Sequence, residues 1–212
     1  MMRMKRACFL AVALLVAPLL GARGQAPAAP RVSEDTAVFA GGCFWGIEAV
    51  YRHIKGVRIA ESGFAGGAVA KPSYEQVSSG ETGHAESVRV IFDPSQVSYA
   101  QLLRVFFTVA HDPTQLNRQG PDVGTQYRSA VFFRTAAQQA AATAMIDSLK
   151  AAKAYPRPIV TQVTPLAAFY RAEAYHQNYL AKHPTEPYVV INDLPKLDAL
   201  KARFAGLYRS AM

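Results

Sequence analysis

Runs of apolar residues change their period along this chain, and the changes predict strands and helices in turn. Thr36 to Ala40 reads as a short buried strand, after which Ile47, Val50, Tyr51 and Ile54 recur at helical spacing within a helix from Phe44 to Ile54. Val57 to Gly66 and Glu86 to Phe92 read as two further strands. A helix capped by Ser98 runs to Ala110, a strand spans Ser129 to Arg134, and an alanine-rich helix covers Thr135 to Lys153. One more strand is predicted over Ile159 to Thr164, and the tail reads as helices around Glu173 to Ala181 and Lys196 to Ala205, joined by Pro-containing loops. Elements interleaved in this way predict an α+β fold, a two-layer α/β sandwich with a ferredoxin-like core, a mixed sheet and long loops.

Two connections are longer than ordinary ones, Gly63 to Gly83 and His111 to Gly124, and both are rich in Gly, Pro, Ser, Thr and Asn. The second is dense in groups able to bond locally, which favours an ordered binding loop over a plain solvated one. The strand beginning at Glu86 adds a sharper feature. Its period of two puts Glu86 on one face with Val88, Val90 and Phe92, aiming a carboxyl at the apolar side. A carboxyl desolvated without a cationic partner has a raised pKa and acts as a hydrogen-bond donor or acid near neutral pH. An exposed glutamate at a strand end is the plain alternative. His84, on the same face, reads either as a satisfied core histidine or as a loop anchor.

The chain has 212 residues, and its start has the layout of a secretory signal peptide: Arg3, Lys5 and Arg6, an uncharged apolar stretch from Ala7 to Leu20, then small residues near Ala22 and Gly24. The expected organisation is a signal peptide over 1–24, a flexible Pro/Ala-rich linker over 25–34 and one catalytic domain over 35–212. Export, into a periplasm, is the expected destination, with a mitochondrial presequence as the alternative. The apolar stretch is shorter than the roughly 18 to 20 residues a spanning helix needs, so no membrane span is expected. Losing Arg3, Lys5, Arg6 and Arg23 lowers the formal charge from +8 to +4. The remaining basic residues are scattered and not interleaved with aromatics, so no nucleic-acid surface is expected. The same cleavage removes Cys8 and leaves Cys43 alone, which excludes an intramolecular disulfide. No ligand spacing supports a metal site.

Cys43 lies in the run Gly41-Gly42-Cys43-Phe44-Trp45-Gly46, at a predicted strand-to-helix turn. A helix N-terminus directs unpaired N–H groups and a positive partial charge at such a sulfur, which favours thiolate, and flanking glycines leave room for a substrate. The plain alternative is a buried, inert cysteine, although a core cysteine needs no close-approach turn around it.

With these motifs in hand, the chain resembles the A-type methionine sulfoxide reductases, the peptide-methionine (S)-S-oxide reductases. Gly41 to Gly46 is similar to that family's nucleophile motif, Pro72 to Glu86 to its Tyr-and-Glu segment, and Gly120 to Ser129 to its Asp-and-Tyr segment. Tyr175-His176-Gln177-Asn178-Tyr179-Leu180 resembles a further family run, so the likeness extends over roughly Val38 to Tyr208.

The resemblance implies thiol-dependent reduction of the S epimer of methionine sulfoxide, free or in proteins, and so repair of oxidised proteins. It implies that Cys43 attacks the sulfoxide sulfur and becomes a sulfenic acid, with Glu86 as the acid and Tyr74 and Tyr127 donating to the departing oxygen. Phe44 and Trp45 would form the apolar wall for the ε-methyl group, and Asp122 would orient the Tyr127 loop. Many family members carry C-terminal resolving thiols, whereas no cysteine follows Cys43 here. A one-cysteine enzyme is therefore expected, with no bound cofactor, acting as a monomer and recycled by an external thiol such as thioredoxin, glutaredoxin or glutathione. Two other classes stay open: a peroxidase or Cys-His hydrolase drawing its base from His53, His84, His111, His176 or His183, and an idle binding module for oxidised or Met-rich proteins.

Overall fold

The structure is a computed structural model that describes residues 33–210. The leader expected over 1–24 lies outside the described residues, as does most of the 25–34 linker. The chain enters on β1 (Asp35–Gly41), passes into α1 (Phe44–Arg52), and returns through β2 (Val57–Ala65). A short helix α2 (Tyr74–Ser78) interrupts the first long connection before β3 (Ala85–Phe92). Next come α3 (Tyr99–Val105), which widens into a π turn over Phe106–Ala110, and a two-residue hairpin of β4 (Arg118–Gln119) and β5 (Asp122–Val123). β6 (Ser129–Phe133), α4 (Ala136–Ala151), β7 (Gln162–Pro165) and β8 (Phe169–Arg171) follow, and the tail holds α5 (Tyr179–Lys182), a π turn over Val189–Asp193 and α6 (Leu194–Arg203).

The sheet runs in the order β7-β6-β1-β3-β2-β8, antiparallel throughout except for the β6 and β7 pair. The sequence β1-α1-β2-β3-α3-β6 with spatial order β6-β1-β3-β2 is the split βαβ arrangement of a ferredoxin-like core, as expected from the strand and helix pattern. β7 and β8 extend that core on its two edges and make the sheet mixed.

Alternation along the strands assigns the two faces. Phe39, Val88, Val90, Phe92 and Val131 are buried with residues of α1 and α3 such as Ile47, Tyr51 and Leu102, each contributing about 1.5–3 kcal/mol by leaving water. Val38, Ala40, Ala65, Ala85, Ala130 and Phe132 form a second, smaller cluster. Ser98 accepts from the Gln101 N–H, the N-cap expected there, and Thr135, expected inside its helix, caps it instead by accepting from the Gln138 N–H. No helix among the described residues is long and apolar enough to cross a membrane.

Besides end shifts of one or two residues and the unexpected short strands β4, β5 and β8, three segments depart from the sequence expectation. The connection expected as loop from Gly63 begins only after β2, and it contains α2, whose Ser73 and Gln76 form a reciprocal capping box. The strand expected from Ile159 starts at Gln162. The helix expected over Glu173 to Ala181 is split: Ala174–His176 is a 3-10 turn, and Asn178 takes a left-handed conformation, φ 55°, before α5. Its N–H donates to the buried Glu48 at 2.9 Å, so a long-range bond outweighs the local helical periodicity there.

Candidate active site

β1 delivers the chain to the nucleophile, and Gly42 turns it. Gly42 has φ +102°, where side chains are strained, and a Cβ on it would lie 2.5 Å from the Gln119 side chain of β4. Cys43 then caps α1, as the strand-to-helix reading required. It is the free cysteine of the described residues and is half-buried.

The expectation of a thiolate does not hold for the unliganded protein. Although part of the residue reaches the surface, desolvation of the sulfur pushes the thiol well above its ordinary pKa, and the Glu86 and Asp193 carboxyls add to the rise. The Trp45 backbone N–H and the Lys196 ammonium oppose it without prevailing. The helix terminus contributes, but burial wins.

Glu86 lies at the start of β3, opposite Phe64 of β2, and is 1% exposed. One oxygen accepts the Phe44 backbone N–H at 3.0 Å, the one hydrogen bond the carboxyl makes among the described residues. No cation contacts it among the described residues, and burial raises its pKa to about 8, with the Asp122 charge adding to the shift. The carboxyl is therefore protonated at neutral pH, as the strand alternation suggested.

Cys43, Phe44, Trp45, Tyr74, Glu86, Asp122 and Tyr127 line one cavity of about 190 Å³, so the structure brings together every catalytic and substrate-binding residue that the family resemblance implied. A larger cavity of about 500 Å³ elsewhere, walled by Tyr155, Pro156 and Pro158, holds none of them. The two long connections that carry the tyrosines are tied to each other. Gln126 donates to the Ser78 carbonyl at 3.1 Å, and Arg128 donates to the Gly83 carbonyl at 3.0 Å. The Tyr74 N–H is fixed by Glu173 at 2.9 Å. Burial and the neighbouring carboxyl raise the pKa of both Tyr74 and Tyr127, so both phenols stay protonated donors. His84 proves to be a loop anchor: it accepts the Gly67 N–H and donates to the Val69 carbonyl at 2.8 Å.

The aromatic wall is held from behind. Trp45 stacks on Tyr179 with centroids 3.7 Å apart and donates its indole N–H to His176 Nδ1 at 3.1 Å. Phe44 is fully buried against Phe64 and His176 while still lining the cavity. No histidine lines the cavity, which removes the base a Cys-His hydrolase would need.

Asp122 differs from expectation in its partner. It accepts a hydrogen bond from the hydroxyl of Tyr188, which also lines the cavity and stands edge-on to Trp45. Sequence reasoning missed Tyr188, whose only signal was an aromatic residue behind Pro187. It also missed Asp193 and Lys196, which approach Cys43 from the tail; Lys196 entered the sequence reading only as the start of a predicted tail helix.

Comparison with known proteins agrees with this geometry. A family profile described as peptide methionine sulfoxide reductase matches residues 35–206. The chain is 55% identical over 175 residues to peptide methionine sulfoxide reductase MsrA 2 of Mesorhizobium japonicum, covering 82% of this chain and 90% of that one. It is 49% identical to MsrA of Deinococcus radiodurans, covering 85% and 87%. Among solved structures, it is similar to reduced Mxr1 of Saccharomyces cerevisiae, at 35% identity and TM-score 0.67, covering 72% of this chain and 87% of that one. Methionine sulfoxide reductase A of Corynebacterium diphtheriae matches at 38% identity and TM-score 0.64, covering 72% and 76%. The chain belongs to the peptide methionine sulfoxide reductase family, and to its A type.

Proposed function

We propose that the protein reduces the S epimer of methionine sulfoxide to methionine through a sulfenic acid on Cys43, which an external thiol then resolves. The observation that carries this reading is a buried Glu86, with its pKa pushed up to about 8, lining the same 190 Å³ cavity as the only described thiol, with two phenols beside it.

The sulfoxide oxygen takes a proton from Glu86 and hydrogen bonds from Tyr74 and Tyr127, which makes its sulfur electrophilic. Cys43 attacks that sulfur, its own proton restoring the Glu86 carboxyl. The oxygen passes to Cys43 as methionine leaves, so a thiol and a sulfoxide become a sulfenic acid and a thioether. Phe44 and Trp45 hold the methyl group. Asp122 keeps Tyr188 in place through the hydroxyl it accepts. The raised thiol pKa fits this order of events, because deprotonation is deferred until a bound sulfoxide supplies a destination for negative charge.

No cysteine lies among residues 44–212, so none of them can act as a resolving thiol. The reductant is then external. The leader layout over 1–24 supports export of the catalytic domain. Turnover of separated S and R methionine sulfoxide peptides with excess dithiothreitol tests the reading. Reduction of the S epimer alone, abolished by Cys43→Ser, is expected; no reduction of either epimer by folded protein would overturn it.

A further inference from the structure

A second cavity reaches Cys43. It has a volume of about 80 Å³ and is lined by Gln119, Gly120, Pro121, Asn192 and Lys196 together with Asp122 and Tyr188, which it shares with the first. Glu86, Tyr74, Tyr127, Phe44 and Trp45 do not line it. The volume is a little under three times the ~30 Å³ share of one water molecule, enough for the end of a methylene-thiol arm.

Its charge is placed with care. Lys196 Nζ donates to Asp193 Oδ1 at 3.0 Å, with side-chain exposures of 17% for the lysine and none for the aspartate. That is the one hydrogen bond its ammonium makes among the described residues, leaving its other N–H groups for the cavity. Gly46 makes room for the pair: a Cβ there would lie 2.7 Å from Lys196 Nζ, and it would run into Asp193 as well. The ammonium is thus seated against the first turn of the helix that Cys43 caps.

Displacement at a divalent sulfur proceeds in line, the nucleophile arriving opposite the leaving group. During sulfoxide reduction the oxygen is held on the Glu86 side, so the sulfenic oxygen is delivered to that cavity. A thiol that displaces it has to arrive from elsewhere, and the second cavity is lined by Cys43 and by none of the oxygen-holding groups. We infer that this polar cleft is the reductant's entrance, where Lys196 holds the attacking thiolate of a cysteinyl or similar –CH2–S⁻ end against the oxidised Cys43. The inference rests on the proposed reductase reading. Thiolate attacks Cys43 Sγ, the S–S bond forms and the S–O bond breaks, and the hydroxide leaves as water with a proton from Glu86. A second thiol attacks the mixed disulfide, regenerating Cys43 and releasing the reductant as a disulfide; two thiols supply the two electrons.

The test separates the two half-reactions. Purified protein is mixed with one equivalent of S-methionine sulfoxide peptide without thiol, and the methionine formed is counted. Cysteine or reduced thioredoxin is then added, and loss of the sulfenic acid is timed by mass spectrometry. Lys196→Met also removes an ammonium that eases Cys43 ionisation, so it is expected to lower the second-order recycling constant at least tenfold further than it lowers the rate of methionine formation. Asn192→Trp, which fills the cleft and leaves the charge, is expected to give the same split and serves if the lysine variant fails to fold. Slowing with cysteine alone assigns the cleft to small thiols, and slowing with thioredoxin assigns it to protein thiols. Unchanged recycling with both, or methionine formation falling in step with recycling, overturns the inference. Absence of the initial methionine in the parent protein fails the reductase reading instead.

Discussion

Two glutamates in this molecule are equally hidden from water, and they behave differently. Glu48 and Glu86 are each 1% exposed. Glu48 accepts from the Ser62 hydroxyl at 2.7 Å and the Asn178 N–H at 2.9 Å, and pairs with Arg52 at 3.3 Å. Burial raises its pKa, but each of those partners pulls it back. Glu86 has one backbone donor and no cation, and it rises to about 8. Exposure is the same; the number of donors differs. A buried carboxyl saturated with partners is a structural tie, and one left short of them becomes an acid available for chemistry.

The sharpest way to break the comparison is to exchange the acid for its amide. Glu86→Gln is expected to lower kcat/KM for S-methionine sulfoxide by about 10²–10⁴, the range for a general acid. Stopped assays across pH should show the parent losing activity as Glu86 ionises near pH 8, a loss the variant lacks. At the other site the damage should fall on folding: Glu48→Ala is expected to cost about 3–5 kcal/mol by urea denaturation, leaving the rate of the first turnover within a few-fold.

Stability against pH sharpens the contrast further. Because the fold raises the Glu86 pKa from 4.5 to about 8, the native state holds a proton that the unfolded chain has released between those values. Its contribution to stability is complete below about pH 4.5 and lost as pH rises through about 8. The urea midpoint of the parent should decline over that interval, and Glu86→Gln should remove that part of the decline. The smallest effect concerns the neighbour of the acid. Tyr188→Phe deprives the half-buried Asp122 of its hydroxyl donor and is expected to lower kcat/KM by about tenfold, about 1.4 kcal/mol.

Much of this site was legible because its signals are local. Alternation alone turned Glu86 inward, and glycines around Cys43 marked a tight turn before any partner was known. The missed parts depend on residues far apart in sequence. Nothing near Cys43 announces that Asp193 would approach it, so the rise in the thiol pKa could not be read from a helix terminus. Asn178 broke the predicted tail helix because Glu48, 130 positions earlier, takes its N–H. Lys196 carried no signal beyond its place at the start of a predicted tail helix, and its setting emerged only with Gly46 beside it.

The cross-ties between the two long connections carry a consequence for what the enzyme can repair. Gln126 on Ser78 and Arg128 on Gly83 join the loops through the protein's own groups, so Tyr74 and Tyr127 stand ready before any substrate arrives. An oxidised methionine occurs in whatever neighbourhood an oxidant happened to reach, and the flanking sequence offers no dependable handle. A site that assembles itself asks nothing of those neighbours, and indifference to context is what a general mender of damaged side chains requires.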